Sequence, residues 1–546
     1  MYSIKVNDIV IEREDKVLLK DLAKELGIDA YVAKVNNRLR ELNYYVNYTC
    51  NVEFLDLKNF DAVRVYETSL RYLIIMALEN LYPKIKVKFS QCVSRSIACN
   101  VSNIDEKVNN EFLSKLESEM KRLINEDFVI NRKTITKEEA AKIYAEKGYL
   151  DKIDVLKYRD DENVHIYECN GYVNYLYGYM VPSTGYLKKF KLLTYNPGFV
   201  VQFPRAECNG EIPAFEESIS FGRMLNDARD WSELCGCNKI PLLNQHATDI
   251  KINDLVNVCE TKHNNMLAEL GSIIKKDINN IRLICIAGPS SSGKTTFSHR
   301  LRLELMSRGV NPVKISMDDY YLDREKAPLD EFGNLDLEHV NALDLDLFNE
   351  QLLSLIQGKE VELPIFDFKQ GKRIRGEKLK ISQDTPIIIE GIHALNDEVT
   401  RLIPKYQKFK IYISPLSQIN IDDHNPINAT EIRLLRRIVR DAKYRKTDPS
   451  ETFSMWPSVR RGEFKWIYPY QEGADYIYNS ELTYELGVMK KYALPVLEAI
   501  DRNDEYFITA NRLVKFLKYI RDIDDRYVPC NSLLREFIGN SCFYDV

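Results

Sequence analysis

At 546 residues the chain is longer than one hydrophobic core serves, and two to four domains are expected. Hydrophobic residues at 45% and charged residues at 29% are ordinary for a soluble globular protein, and a net charge of −5 argues against a surface that coats nucleic acid, though a local basic face stays open. The longest apolar runs, such as residues 73–78, are too short to cross a bilayer, and Asp8, Glu12 and Glu14 stand where a signal peptide would be apolar. Eleven cysteines without paired spacing point to reduced thiols in a cytoplasmic protein; Cys235 and Cys237 lie close together, but no second pair or nearby histidine completes a metal site.

In chain order, Tyr2, Ile4 and Val6 alternate as a strand. Residues 19–26 read as a short helix, and residues 31–35 and 52–55 as further strands, making a compact α+β unit over 1–62. Over 63–225 the pattern predicts helices at 69–81 and 107–124 and strands at 164–167 and 187–193. Residues 226–278 read as a helical connector, 279–485 as the catalytic part, and 486–546 as a helical extension.

The run Gly288-Pro289-Ser290-Ser291-Ser292-Gly293-Lys294-Thr295 follows the apolar stretch 281–287 and opens a predicted helix over 296–307. Strand, glycine-bounded loop and helix in that order make a phosphate cradle: loop N–H groups point at the anion and the helix N-terminus adds partial positive charge. Residues 288–296, ending at Thr296, are expected to hold ATP, with Lys294 reaching the β/γ-phosphates and Thr295 ligating Mg²⁺. A second strand, 312–316, ends at Asp318 and Asp319, and a third, 385–389, ends at Glu390. A right-handed crossover lays such strands parallel, with their carboxyl ends on the loop edge. An acidic residue after a strand is also a common helix cap, but three strand ends on one edge supply what phosphoryl transfer needs: a cradle, a metal anchor and a proton acceptor. In 431–441, Arg433, Arg436, Arg437 and Arg440 recur at helical spacing opposite Leu434, Leu435, Ile438 and Val439. That stripe is either a solvated face or a lid over the phosphates, which arginine binds bidentately.

On these motifs, 281–480 resembles the uridine kinase/phosphoribulokinase group of P-loop kinases. Ser316-Met-Asp318-Asp-Tyr-Tyr321 is similar to that group's Asp-x-Phe-Tyr, which implies proton acceptance by Asp318 rather than Asp319, beside Tyr321. Asn334-Leu-Asp336 resembles its Asn-Phe-Asp, whose aspartate holds the ribose, and Pro364-Ile-Phe366-Asp367-Phe368 with Arg373 resembles the segment that meets the base. Glu390-Gly-Ile392 resembles the magnesium-side motif, the segment 436–441 the lid helix, and Ala474-Asp475-Tyr-Ile477 the closing strand. Lys294, Arg436 and Arg440 are then the cations over the moving phosphoryl group. Two departures fall on specificity: Phe366 replaces a tyrosine, and Gly371 stands where a histidine reads the pyrimidine.

Ala30-Tyr-Val-Ala-Lys-Val-Asn36, with 38–42 and Val52-Glu53, resembles the TGS domain, a small β-grasp module. Residues 63–225 are similar to the second additional domain of threonyl- and alanyl-tRNA synthetases, which edits mischarged tRNA at a metal site. Its four ligand positions fall on Thr68, Tyr72, Leu176 and Met180, so the resemblance implies the shell without the editing chemistry. The whole resembles bacterial uridine kinase-like nucleoside kinases with a synthetase-like half in front, and the end signature 529–539 belongs to that resemblance as a capped helix.

The fold class expected is therefore α/β multidomain: a P-loop kinase with a mostly parallel sheet, behind a β-grasp unit and an α+β editing-like unit. The activity expected is ATP- and Mg²⁺-dependent phosphorylation of a small-molecule hydroxyl, most simply a nucleoside 5′-hydroxyl. Another sugar or vitamin alcohol stays open as acceptor, as does a different class, an RNA- or ribosome-associated NTP-binding regulator. RNA contact by the N-terminal half and homo-oligomer formation are left open, and no membrane partner is expected.

Overall fold

The computed structural model describes residues 1–331, 333–367 and 370–543, and places the glycine-rich loop at the middle of a parallel sheet. The strands are β1 (Leu283–Ala287), β2 (Val313–Ser316), β3 (Ile387–Glu390), β4 (Lys408–Ser414) and β5 (Tyr476–Asn479), in the order β2-β3-β1-β4-β5 with every neighbour parallel. Every residue of β1 is buried, as a Leu-Ile-Cys-Ile-Ala run requires when helices cover both faces. β2 runs parallel to β1 as expected but is not its neighbour, because β3 inserts between them. That insertion puts Glu390 in register with Ile286 on one side and Ser316 on the other.

Helix α1 (Lys294–Ser307) starts after Gly293, whose φ of +92° turns the chain out of the loop in a conformation that a side chain would strain. The helices that surround the loop follow: α2 (Ala429–Arg440), α3 (Pro449–Trp466), α4 (Glu485–Glu498), α5 (Phe507–Leu517) and the single turn α6 (Arg535–Ile538). One hydrophobic core joins Leu270 and Ile274 of the long helix Asp249–Lys276 to Ile284, Phe297, Leu435 and Phe537. The connector and the C-terminal extension thus pack as part of the catalytic body.

In the N-terminal half, Tyr2–Val6 pairs antiparallel with Ile9–Arg13 and parallel with Cys50–Leu55, which pairs with Val32–Val35. With Arg38–Arg40 these strands form a five-stranded mixed sheet, and the helix Leu19–Glu25 lies between its second and third strands in the chain. The next helix, Phe60–Leu81, begins nine residues before the expected position 69: Asn59 caps it by accepting the Asp61 N–H, and Asp61, Arg64 and Glu67 form its more open face while Val63, Val65 and Tyr66 are buried. The strand expected over 187–193 is displaced to Lys191–Tyr195, because residues 184–186 form a 3₁₀ turn against the helix Asn110–Asn125. No described helix is long and apolar enough to cross a membrane.

Candidate active site

The loop is shaped from behind. Arg436 Nη1 donates to the Ser291 and Ser292 carbonyls at 3.3 and 3.5 Å, Arg433 Nη1 to the Ser290 carbonyl at 3.2 Å, and the Ser480 hydroxyl to the Ser292 carbonyl at 2.6 Å. Arg437 Nη1 holds the Ser290 hydroxyl at 2.9 Å. With its carbonyls drawn outward, the loop turns its N–H groups inward, the arrangement that binds phosphate. Ser291 sits at φ +61°, and a Cβ on Gly288 would lie 2.0 Å from the Ile413 carbonyl, so the path tolerates no bulk there. Lys294 Nζ bridges the Gly288 and Pro289 carbonyls at 3.0 and 3.2 Å. The buried hydroxyls of Ser291, Ser292 and Thr296 have no partner among the described residues. A cradle of inward amides and orphaned hydroxyls fits a polyphosphate.

The carboxylates converge on that cradle. Glu390 ends β3 and accepts the Thr295 hydroxyl at 3.3 Å. Burial raises its carboxyl above the ordinary range, and the neighbouring Asp318 raises it further while Lys314 and Lys294 oppose both. Asp318 lies in the turn after β2, open to solvent but walled so that poor hydration pushes its carboxyl up, against the pull of Lys294. Burial lowers the Lys294 ammonium, and Glu390, Asp318 and Glu536 counter it. Asp319 turns away and accepts the Phe366 N–H at 3.2 Å, a bracing role distinct from that of Asp318. Thr295 and Glu390 offer the hard oxygens that Mg²⁺ takes from a protein when phosphates and water complete its shell.

The arginines differ from expectation. Arg436 is not a cation over the reacting group: it is fully buried, bonded to Glu485 through Nε at 2.8 Å and to the Ser480 carbonyl through Nη2 at 2.8 Å, with Phe537 against its guanidinium. Every face of its fork is committed to holding the loop. Arg433 is likewise buried and paired with Glu463 of α3. Arg440 does face the cleft, close enough to Lys294 and Asp318 to act on both, and burial lowers it to about 10. Arg437, from the periodic stripe, and Arg445, beyond it, join the same field.

Glu338 was not anticipated either. It sits under α3, where a Cβ on Gly462 would lie 2.4 Å from its own, and burial followed by Glu463 pushes its carboxyl up to about 7, with Arg437 and Lys294 opposing. The native state therefore holds a proton that the unfolded chain releases near the ordinary glutamate value. That contribution to stability is complete below the ordinary value and is lost as pH rises through about 7. Thermal denaturation between pH 5 and 8 is expected to show Tm falling more steeply in the wild type than in Glu338→Gln; parallel curves would remove this assignment.

Of the acceptor-side residues, Tyr321 and Phe366 form an aromatic pair with ring centroids 5.7 Å apart, and Asp336 accepts the Glu338 N–H at 3.2 Å in the loop beside them. Arg373 is not delivered to the cleft: its Nη1 is held by Asp344 at 2.8 Å. Gly371, at φ +65°, leaves no space for a side chain, since a Cβ would lie 2.5 Å from Cδ of Arg324. Phe368 lies outside the described residues.

In the second unit, Thr68, Tyr72, Leu176 and Met180 are all buried, and Tyr72 gives its hydroxyl proton to the Tyr172 carbonyl at 2.8 Å. The chain from β4 to α2, Asn420–Asp422 and Asn425–Pro426, enters this unit as a small hairpin. Asp422 pairs with the buried Lys152 at 3.0 Å, Asn425 accepts the Tyr177 N–H at 2.7 Å, Asn174 meets His424 at 3.2 Å, and Arg71 donates to the His424 carbonyl. Among the described residues no group of three or more His, Cys, Asp or Glu is placed to hold a metal. Accordingly, metal analysis of the purified chain is expected to find no stoichiometric zinc, and EDTA to leave Tm unchanged; a chelator-induced loss of stability would contradict this.

Residues 283–485 match the Phosphoribulokinase / Uridine kinase family. These residues carry the sheet, the loop, Asp318, Glu390 and α2. The N-terminal half is similar to threonine–tRNA ligases: that of Thermotoga petrophila is 30% identical over 177 residues, 32% of this chain and 27% of the ligase. The chain thus spans about a quarter of the length of that relative. Among solved structures, a candidate fructose transport system kinase from Silicibacter sp. TM1040 aligns at 19% identity and TM-score 0.27, covering 39% of this chain and 98% of that one. A possible uridine kinase from Bacillus stearothermophilus aligns at 18% and 0.25, covering 37% and 89%.

Proposed function

We propose that the chain is an ATP-dependent kinase that phosphorylates a hydroxyl of a small molecule, and that the acceptor is the 5′-hydroxyl of a nucleoside. The observation that carries this reading is the convergence of Lys294, Thr295, Asp318 and Glu390 where the glycine-rich loop meets the ends of β2 and β3. ATP supplies the phosphoryl group, and Mg²⁺ held by Thr295 and Glu390 supplies neutralisation of its oxygens. Asp318 orients the acceptor and takes the hydroxyl proton onto its carboxylate; Lys294 and Arg440 balance the negative charge that shifts across the site. The raised Asp318 carboxyl suits a group that must first accept that proton and then release it. A nucleoside is favoured by the Tyr321/Phe366 pair, a flat apolar wall for a base, with Asp336 beside it as an acceptor for ribose hydroxyls. Because Arg324 fills the space over Gly371, the base is met by different groups from those of a histidine-bearing pyrimidine site.

For the synthetase-like half we infer a scaffolding role, since the hairpin 420–426 ties it to the chain that leads directly into α2 and the loop. Eleven free thiols, eight of them from residue 92 to residue 285, suit a reducing, cytoplasmic setting. The test is ADP release across a panel of nucleosides and other alcohols, with mass spectrometry of the product. Substrate-dependent ADP and a phosphorylated nucleoside support the reading. RNA-stimulated hydrolysis with no phosphorylated product would replace it with an RNA-associated regulator.

A further inference from the structure

The last described turn of the chain reaches into the cradle. Glu536 on α6 is 240 residues from Thr296, yet its Oε2 accepts the Thr296 N–H at 3.1 Å, and its Oε1 faces Arg440 Nη1 at 3.8 Å. Thr296 is the third residue of α1, so its amide is one of the N-terminal donors of the helix that a glycine-rich loop turns toward phosphate. A carboxylate and a phosphate oxygen cannot both take that hydrogen. Glu536 also adds a third negative group beside Asp318 and Glu390, where an incoming polyphosphate would meet it.

We propose that the segment 529–543 is an internal competitor for the nucleotide, with the Glu536 carboxylate standing in for a phosphate oxygen until ATP displaces it. This rests on the reading of residues 288–296 as a nucleotide cradle. A permanent helix cap would be the plainer role, but Glu536 satisfies the Thr296 amide and leaves the Thr296, Ser291 and Ser292 hydroxyls orphaned. Those hydroxyls belong to a ligand with more oxygens than one carboxylate carries. The segment is seated by Leu533, Leu534, Phe537 and Ile538, all buried in the main core, and it meets the loop, α1, the second half of α2 and the turn after α2. Leu533 packs 3.7 Å from where a Gly293 Cβ would stand, Phe537 lies against Arg436, Phe543 stacks on His299 at 5.0 Å, and the Ile538 carbonyl accepts from Lys443. Gly539, at φ +89°, ends α6 in a conformation that favours glycine and releases the chain from the helix. By linkage, whatever loosens this segment tightens nucleotide binding, and nucleotide binding loosens the segment.

The experiment pairs two readouts on the full chain. Equilibrium titration with a fluorescent ATP analogue is expected to give about tenfold tighter binding for Glu536→Gln than for the wild type, because the amide oxygen still accepts the Thr296 N–H but the charge that strengthens that bond and repels a polyphosphate is gone. Hydrogen exchange of the wild type is expected to speed up across 529–543 when ATP is added. Equal or weaker binding by a folded Glu536→Gln protein would overturn the proposal, as would protection of 529–543 by ATP. If the variant does not fold, the exchange measurement on the wild type decides alone. Absence of analogue binding in both proteins would overturn the cradle reading itself, and the competitor with it; binding by both with equal affinity overturns only the competitor.

Discussion

Replacing Asp318 by asparagine is expected to lower kcat by about 10³-fold while leaving ATP affinity within about twofold, the loss typical of removing a positioned general base. The side chain keeps its size, and the bond from the Asp318 N–H to the Ser316 hydroxyl at 3.3 Å is untouched. The cradle is built by α2, Ser480 and the loop itself, none of which leans on Asp318. What disappears is a carboxylate beside Lys294 that takes no part in the Thr295–Glu390 pair. Steady-state kinetics with the accepted substrate and titration of an ATP analogue separate the two quantities. Asp319→Asn is the control: an amide oxygen still accepts the Phe366 N–H, so little change is expected. Unimpaired turnover in Asp318→Asn would remove that residue from the chemistry.

The contrast between Asp318 and the arginines shows which parts of this site a sequence reveals. Each of these features is encoded locally: β1, the glycines and α1 follow directly, and Ser316 to Asp318 and Ile389 to Glu390 each end a strand on one edge. Backbone geometry then delivers the carboxylates without help from distant residues. The arginine helix is different. Its period separates Arg433, Arg436, Arg437 and Arg440 from the leucines, but the partners that decide what each does are Glu463, Glu485 and Glu536, 30, 49 and up to 100 residues onward. Those partners turn a helix that reads as half-solvated into one buried on nearly all sides. The hairpin 420–426 escaped notice for the same reason: its Asp, His and Asn side chains look like an exposed turn until Lys152, Asn174 and Arg71 close around them. At Gly371, only packing shows that Arg324 lies where a side chain would start.

Arg436→Ala is expected to act on the fold and the cradle together, with a stability loss of roughly 3–5 kcal/mol in chemical denaturation, because truncation strands Glu485 as a buried unpaired carboxylate. The same change frees the Ser291 carbonyl and leaves the Ser292 carbonyl to the Ser480 hydroxyl alone, so ATP affinity should drop in whatever fraction stays folded. Lysine should not rescue it, since one ammonium cannot serve Glu485, Ser480 and two loop carbonyls that lie in different directions. The pair Arg436→Met with Glu485→Met separates the two effects. With both charges gone, the buried site becomes apolar and much of the stability should return, but the Ser291 carbonyl stays unheld and ATP affinity should remain low. A catalytic arginine predicts the opposite pattern: a midpoint of denaturation unmoved by Arg436→Ala, ATP binding intact, and the loss confined to kcat. Denaturation midpoints and analogue titrations of the three proteins therefore decide whether Arg436 builds the cradle or works inside it.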